Sequence, residues 1–248
     1  MITLDIARNE LRRYFQGPLA WLILALTQFF LAVTFFTLLN RYQVAHTNFV
    51  NRGITITVLA TTLQSAGLLL LLVTPFLSMR LISDERRSGT LTLLLSAPVS
   101  ISNIIIGKYL GIMGFFLILL IIFCLMPLSL TFGTRLDFGL LASGMAGLLL
   151  LSSSFAAIGL FASTLTRQPA IAAALTFALL FMFWSVHVLS QTDNQALAAI
   201  ASYLSMQVHL NYLLTGLFRS IDIIYYLLLS GVFVLLSILR LDAIRSLD

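Results

Sequence analysis

Six stretches of this 248-residue sequence run for 17 to 29 residues without an Asp, Glu, Lys or Arg: Tyr14 to Asn40, Gly53 to Met79, Tyr109 to Thr134, Phe138 to Thr166, Gln168 to Thr192 and Ile223 to Leu239. Crossing roughly 30 Å of hydrocarbon takes about 20 apolar residues in a helix, because lipid offers no partner to an open backbone amide. The shortest run ends at Arg240, whose long side chain can snorkel to the interface. The chain is 60% hydrophobic and 9% charged. A soluble domain carries about 25% charged residues, so there is too little polar surface here to face water. The net charge of +5 therefore reads as cytoplasmic anchoring charge, and no nucleic acid partner is expected.

Two further uncharged runs are too polar or too broken to span. Ser88 to Gly107 contains Pro98, which divides it into halves shorter than a bilayer. Asn194 to Phe218 carries amides, hydroxyls and His209, and reads as one or two amphipathic helices at the interface or folded back into the membrane. With six spans and both termini cytoplasmic, ten basic residues lie inside and four outside. Eight spans would give nine and five, so charge alone leaves both counts open, while Pro98 and the polarity of the second run favour six.

Ahead of the first run, Leu4, Ala7, Leu11, Tyr14 and Phe15 share one helical stripe. Asp5, Arg8, Asn9, Arg12 and Arg13 share the other. This predicts a short amphipathic helix over 1–17 lying in the membrane interface, ended by Gly17-Pro18. Catalytic signals are absent. There is no HExxH and no cluster of Cys and His, and Cys124 reads as an apolar packing residue. His46, His187 and His209 are isolated in sequence, and His187 and His209 read as interfacial hydrogen-bonding residues. The segment Ser102 to Lys108 only echoes a phosphate-binding loop: it lacks the first glycine and the hydroxyl residue after the lysine. Gly107 and Gly111 form a GxxxG pair, which permits close helix approach.

The most informative stretch is Met79 to Gly111. A charged cluster, Asp84, Glu85, Arg86 and Arg87, is followed by Ser88, Gly89 and Thr90, then an apolar helix expected over Leu91 to Ala97, then Pro98. Gly89 suits a tight turn, and Thr90 suits the N-cap of the helix from Leu91. Such a charged tip either docks on a soluble partner or is a solvated turn that sets topology.

The order of this stretch resembles the signature of ABC-2 type permeases: Glu85 to Leu91, then Leu94 to Ser100, then Gly107-Lys108. Arg87 departs from it, since many members carry a second acidic residue there. Glu10 to Ala20, and Tyr203, His209, Gly216, Asp222 and Tyr225, resemble the gliding-motility branch of that family. The resemblance implies an all-α integral membrane fold of six transmembrane helices, about 18–39, 56–79, 109–131, 139–164, 169–190 and 222–240. It also implies an N-terminal interfacial helix bearing Leu4, Leu11, Arg12, Arg13, Tyr14 and Phe15, and a cytoplasmic coupling helix within a loop over 80–108. An extracytoplasmic re-entrant helical segment would occupy 194–218.

The implied function is that of an exporting permease subunit in a bacterial inner membrane, with ATP hydrolysed by a separate cytoplasmic subunit. ATPase coupling falls to Asp84, Glu85, Arg86, Arg87, Ser88, Gly89, Thr90 and Leu91. No cofactor is implied in this chain, ATP and Mg belonging to the partner. The implied partners are that ATP-binding subunit, a second permease copy or paralogue, an extracytoplasmic accessory protein, and membrane lipid. Glu85→Lys is expected to spare folding while uncoupling ATPase activity. A non-transporting scaffold or anchor and an ion-coupled secondary transporter are the alternatives.

Overall fold

The computed structural model describes residues 2–44, 55–90, 99–132, 137–192 and 194–245, without the side chains of 42–44, 55–57 and 132. The helix expected over Leu91 to Ala97, Pro98, His46, Arg52 and Arg135 lie outside the described residues. The described residues are helical, in the order α1 (Ile2–Gln16), α2 (Pro18–Val44), a π-helical turn (Thr55–Ala60), α3 (Thr61–Ser78), α4 (Ser83–Ser88), α5 (Ile101–Ser129), α6 (Phe138–Leu165), α7 (Pro169–Leu189), α8 (Gln195–Leu204), α9 (Met206–Leu214) and α10 (Ser220–Arg245). Six of them are long and apolar enough to cross a membrane: α2, α3 with its flanking turns, α5, α6, α7 and α10.

Helix α6 is the centre of the bundle, and its composition explains why. Its inner stretch, Leu151 to Leu160, is buried throughout and rich in small and hydroxyl residues. Small side chains let neighbouring backbones approach, and a hydroxyl buried in an apolar bundle seeks a carbonyl. Ser154 donates to the Tyr226 carbonyl of α10 at 3.1 Å, and Ser143 donates to the Leu213 carbonyl of α9 at 2.6 Å. Ser153 shares a hydrogen bond of 2.7 Å with the Tyr109 hydroxyl of α5. Helices α2, α7 and α10 lie outside and expose most of their apolar surface, as suits segments that meet lipid or another chain.

Helix α5 begins at Ile101, earlier than the span expected from Tyr109, because Ser100 caps it by accepting from the Asn103 amide. Its 29 residues reach about 43 Å at 1.5 Å per residue, longer than the hydrocarbon layer of roughly 30 Å. The surplus gives α1 a seat. Gly107, Gly111 and Gly114 form a strip along α5, and α1 runs over it in the same direction. A Cβ at Gly107 would lie 2.8 Å from the Ile6 side chain, and one at Gly111 would lie 2.7 Å from Glu10 Cβ. The GxxxG pair thus accommodates α1. The packed face of α1 is Thr3, Ile6, Ala7, Glu10, Leu11, Tyr14 and Phe15. Leu4 lies off it, 67% exposed, because the glycine strip accepts Ile6 and Glu10 instead.

The segment between α7 and α10 forms two short helices. Ser205 ends α8 and caps α9 by accepting from the Val208 amide at 3.4 Å, so one residue makes the corner.

The glycine strip yields a test. Gly111→Ala should overpack the α1–α5 contact and destabilise it by about 1–3 kcal/mol. Gly231→Ala, where nothing lies within 4 Å, should be close to neutral. Hydrogen exchange over residues 2–16 in detergent or nanodiscs should accelerate in the first variant alone.

Candidate functional site

The charged cluster read from the sequence folds into α4, a six-residue helix too short to stand without tertiary support. It is held from three sides. At its start, Ser163 Oγ of α6 accepts from the Ile82 and Ser83 amides at 3.0 and 3.1 Å, satisfying donors that a helix N-terminus leaves open. On one flank, Arg86 Nη1 donates to the Thr164 carbonyl at 2.6 Å, a favourable place for a cation because the last carbonyls of α6 point there. At its end, Gly89 adopts φ +74°, the left-handed conformation that closes helices and that glycine reaches without a Cβ penalty.

The third hold is electrostatic. Lys108 of α5 is only 2% exposed, yet carries a charge. Its Nζ donates to Glu10 Oε1 of α1 at 2.5 Å and to Glu85 Oε1 of α4 at 2.7 Å. One ammonium therefore joins the N-terminal helix, the charged loop and a long membrane helix. Burying an ammonium costs several kcal/mol unless carboxylates surround it, and here two do. The assembly is not fully satisfied: Glu85 Oε2 is buried without a hydrogen-bond partner among the described residues.

Helix α1 is fixed at its far end as well. The Tyr14 hydroxyl donates to the Leu77 carbonyl near the end of α3 at 2.9 Å. Burial, with the Glu10 charge adding to it, pushes this hydroxyl well above the ordinary tyrosine range, so it remains a donor at any physiological pH. Tyr14 and Phe15 both pack on Phe115 of α5. Arg13 reaches Asp84 at 4.0 Å across the surface, a contact that solvent screens.

The expected site residues therefore divide. Glu85 and Arg86 face inward and hold α4 to the bundle. Asp84 is half-buried, while Arg87, Ser88, Gly89 and Thr90 are exposed at the tip. Thr90 Oγ1 lies 2.8 Å from Ser88 Oγ and donates to the Glu85 carbonyl at 3.4 Å, so it closes the α4 turn. Its role as a cap for a following helix, and Leu91, lie outside the described residues. A depression of about 410 Å³ is lined by Arg13, Asp84, Glu85, Arg87 and Ser88. On α1, Arg12 is exposed, Leu11, Tyr14 and Phe15 pack inward, and Leu4 faces away. Sequence reasoning missed Glu10 and Lys108 as site residues. Lys108 follows Gly107 of the GxxxG pair, but its contact with Glu10 depends on how α1 lies along α5, which the sequence does not signal.

This arrangement defines a multi-pass helical membrane protein whose peripheral helices are pinned to the bundle by a buried charge. The sequence matches the ABC-2 family transporter proteins over residues 6–244, and the chain belongs to that family. It is the membrane permease component of an ABC transporter, and ATP is handled by an ATP-binding partner subunit. No curated protein matches the chain. Among the described residues, no group of three or more His, Cys, Asp or Glu could hold a metal ion.

Replacing Lys108 with Met should leave two carboxylates buried against each other and destabilise the fold by about 3–5 kcal/mol. Adding Glu10→Gln and Glu85→Gln to Lys108→Met should recover most of that loss. Thermal unfolding in detergent measures both, and equal damage in the single and triple variants would refute the ionic account.

Proposed function

We propose that α4 and the residues just after it receive the motion of the ATP-binding subunit, and that the Lys108 junction passes it to α1 and α5 together. The observation that carries this reading is the shared ammonium: α4 cannot shift without moving Glu85 against Lys108, and Lys108 cannot shift without Glu10. The exposed tip, Arg87 to Thr90, and the depression beside it supply the docking surface. Its mixture of acidic and basic groups suits a groove on a soluble partner. This supports the transporting reading over a passive scaffold, which would need the surface but no link inward.

Ser163 holds α4 and Ser143 holds α9, and their separation of 20 positions corresponds to about 30 Å of helix, the thickness of the hydrocarbon layer. That separation supports opposite faces for α4 and the α8–α9 segment; with α4 meeting the ATP-binding subunit, our reading puts both termini in the cytoplasm of a bacterial inner membrane and α8–α9 on the far side. The motifs from Glu10 to Ala20 and around His209 support the gliding-motility branch, in which a second permease copy or paralogue and an extracytoplasmic accessory protein complete the assembly. A cleft of about 550 Å³ between α2, α3, α7 and α9 is lined by Phe30, Thr34, Gln64, Leu68, Trp184 and Gln207 among others, with no charged residue. That lining suits export of an uncharged amphipathic substrate.

The inward position of Glu85 changes how coupling must be tested. Glu85→Lys would set two ammonium groups together beside Glu10 and disturb folding, against the expectation from sequence. Arg87→Glu is the cleaner variant, because Arg87 is exposed. It should leave thermal stability within about 0.5 kcal/mol. In proteoliposomes with the ATP-binding subunit it should lower substrate-stimulated ATPase activity at least about tenfold, a loss of 1.4 kcal/mol in coupling. Retained stimulation would refute the assignment. Docking with no substrate-dependent turnover even in the unaltered protein would favour the scaffold.

A further inference from the structure

His209 is not isolated in the fold. It is buried among α8, α9 and α10, and both ring nitrogens face oxygen. Nδ1 lies 2.6 Å from Asp222 Oδ1, and Nε2 lies 3.1 Å from the Tyr203 carbonyl oxygen at the end of α8. Asp222 is fully buried, and its Oδ2 has no partner among the described residues. The ring stacks on Tyr225 at 4.2 Å and meets Tyr226 edge-on at 6.5 Å. Arg219 and Tyr212 line the same small cleft, the guanidinium 4.5 Å from the Tyr212 ring centre. With the Tyr203 phenol, which lines the cleft as well, these are the titratable and charged groups that face the histidine among the described residues.

Counting hydrogens decides what this geometry requires. A neutral imidazole carries one N–H, and both a carbonyl oxygen and an ionised carboxylate can only accept. A neutral ring beside an ionised Asp222 therefore supplies one hydrogen to two acceptors and sets lone pair against lone pair at the other contact. Making both contacts takes one hydrogen more. We propose that the His209–Asp222 pair binds a proton that closes a clasp between α8 and α10. The added hydrogen lies between Nδ1 and Oδ1, and Nε2–H holds the Tyr203 carbonyl.

Release of the proton lets one side go. Two neighbouring bonds persist, from the Tyr225 hydroxyl to the Leu204 carbonyl at 2.6 Å and from the Tyr226 hydroxyl to the Met206 carbonyl at 2.7 Å. The end of α8 therefore loosens about the Ser205 corner and stays attached. The sign is fixed by which state makes both bonds. The clasp is closed while the pair holds the added proton, and it weakens as pH rises. This device does not depend on the coupling role of α4.

Hydrogen exchange of the full chain in nanodiscs tests it, with each variant compared with the unaltered protein at matched pH so that intrinsic exchange chemistry cancels. At pH near 6, amides of α8 should exchange roughly tenfold or more slowly in the unaltered protein than in His209→Gln, as expected for a lost charge-assisted hydrogen bond, and the two should converge toward pH 8.5. Asp222→Asn provides a second arm that does not require removing the histidine. Its amide can donate to Nδ1 of a neutral ring whose Nε2–H still holds Tyr203, so this variant should remain protected at pH 8.5, where the unaltered protein is not. A ratio of unaltered to His209→Gln rates that is constant across the pH range would overturn the proposal, as would Asp222→Asn losing protection at high pH.

Discussion

The buried ammonium of Lys108 is the interaction on which the peripheral architecture depends. Helix α4 has too little apolar surface to hold itself against a membrane bundle, and α1 lies on its outside along the glycine strip of α5. Helix α1 has no fully buried residue, and α4 is less than two turns long. Both are positioned by the same cation. A buried ion pair seldom adds much stability over an apolar replacement, because desolvation offsets most of the attraction. Its gain is geometric: an ammonium with two carboxylates accepts few arrangements, whereas an apolar contact accepts many. That suits the proposed role of the junction, passing movement in a defined direction.

The glycine strip makes the ammonium usable. Lys108 lies between Gly107 and Gly111, and only the missing side chains at those positions let Glu10 come within 2.5 Å of Nζ. The same feature explains why α5 starts two turns before the hydrocarbon would demand. Without those turns there would be no surface for α1, and Lys108 would lie in water with no reason to pair. Sequence, helix length and electrostatics therefore constrain one another at a single place.

Much of this was readable from residue types. Apolar runs predict the long helices because lipid forces helical backbone over fixed lengths. The Asn194 to Phe218 run predicts short helices because its amides and hydroxyls interrupt the pattern. The tip at Gly89 was legible because a glycine after a charged cluster has few other uses. The inward direction of Glu85 was not legible, since a carboxylate in a charged loop normally faces solvent and only a partner 23 residues later in the chain draws it in. The apolar stripe through Leu4, Leu11 and Tyr14 is legible as one face of α1, but which part of it meets the bundle depends on the glycine strip, which seats Ile6 and Glu10 and leaves Leu4 exposed. His209 and Asp222 were noticed as motif residues, but their mutual contact depends on the corner at Ser205, which spacing alone does not specify.

Two polar assemblies, Lys108 with its carboxylates and His209 with Asp222, are thus placed at opposite ends of α6, and both are joined to it through serine hydroxyls. Ser163 holds the start of α4, and Ser143 holds the end of α9. A helix buried along most of its length transmits a shift as a rigid body, because close-packed surroundings leave it no room to bend. A displacement of α4 must then be absorbed either at the α9 contact or by the outer helices. Helix α9 packs Met206, Leu210, Leu213 and Leu214 into the bundle, whereas Ala201 is the one buried residue of α8. Few buried contacts make α8 the easier of the two to move, and the His209–Asp222 contact is positioned to set that cost.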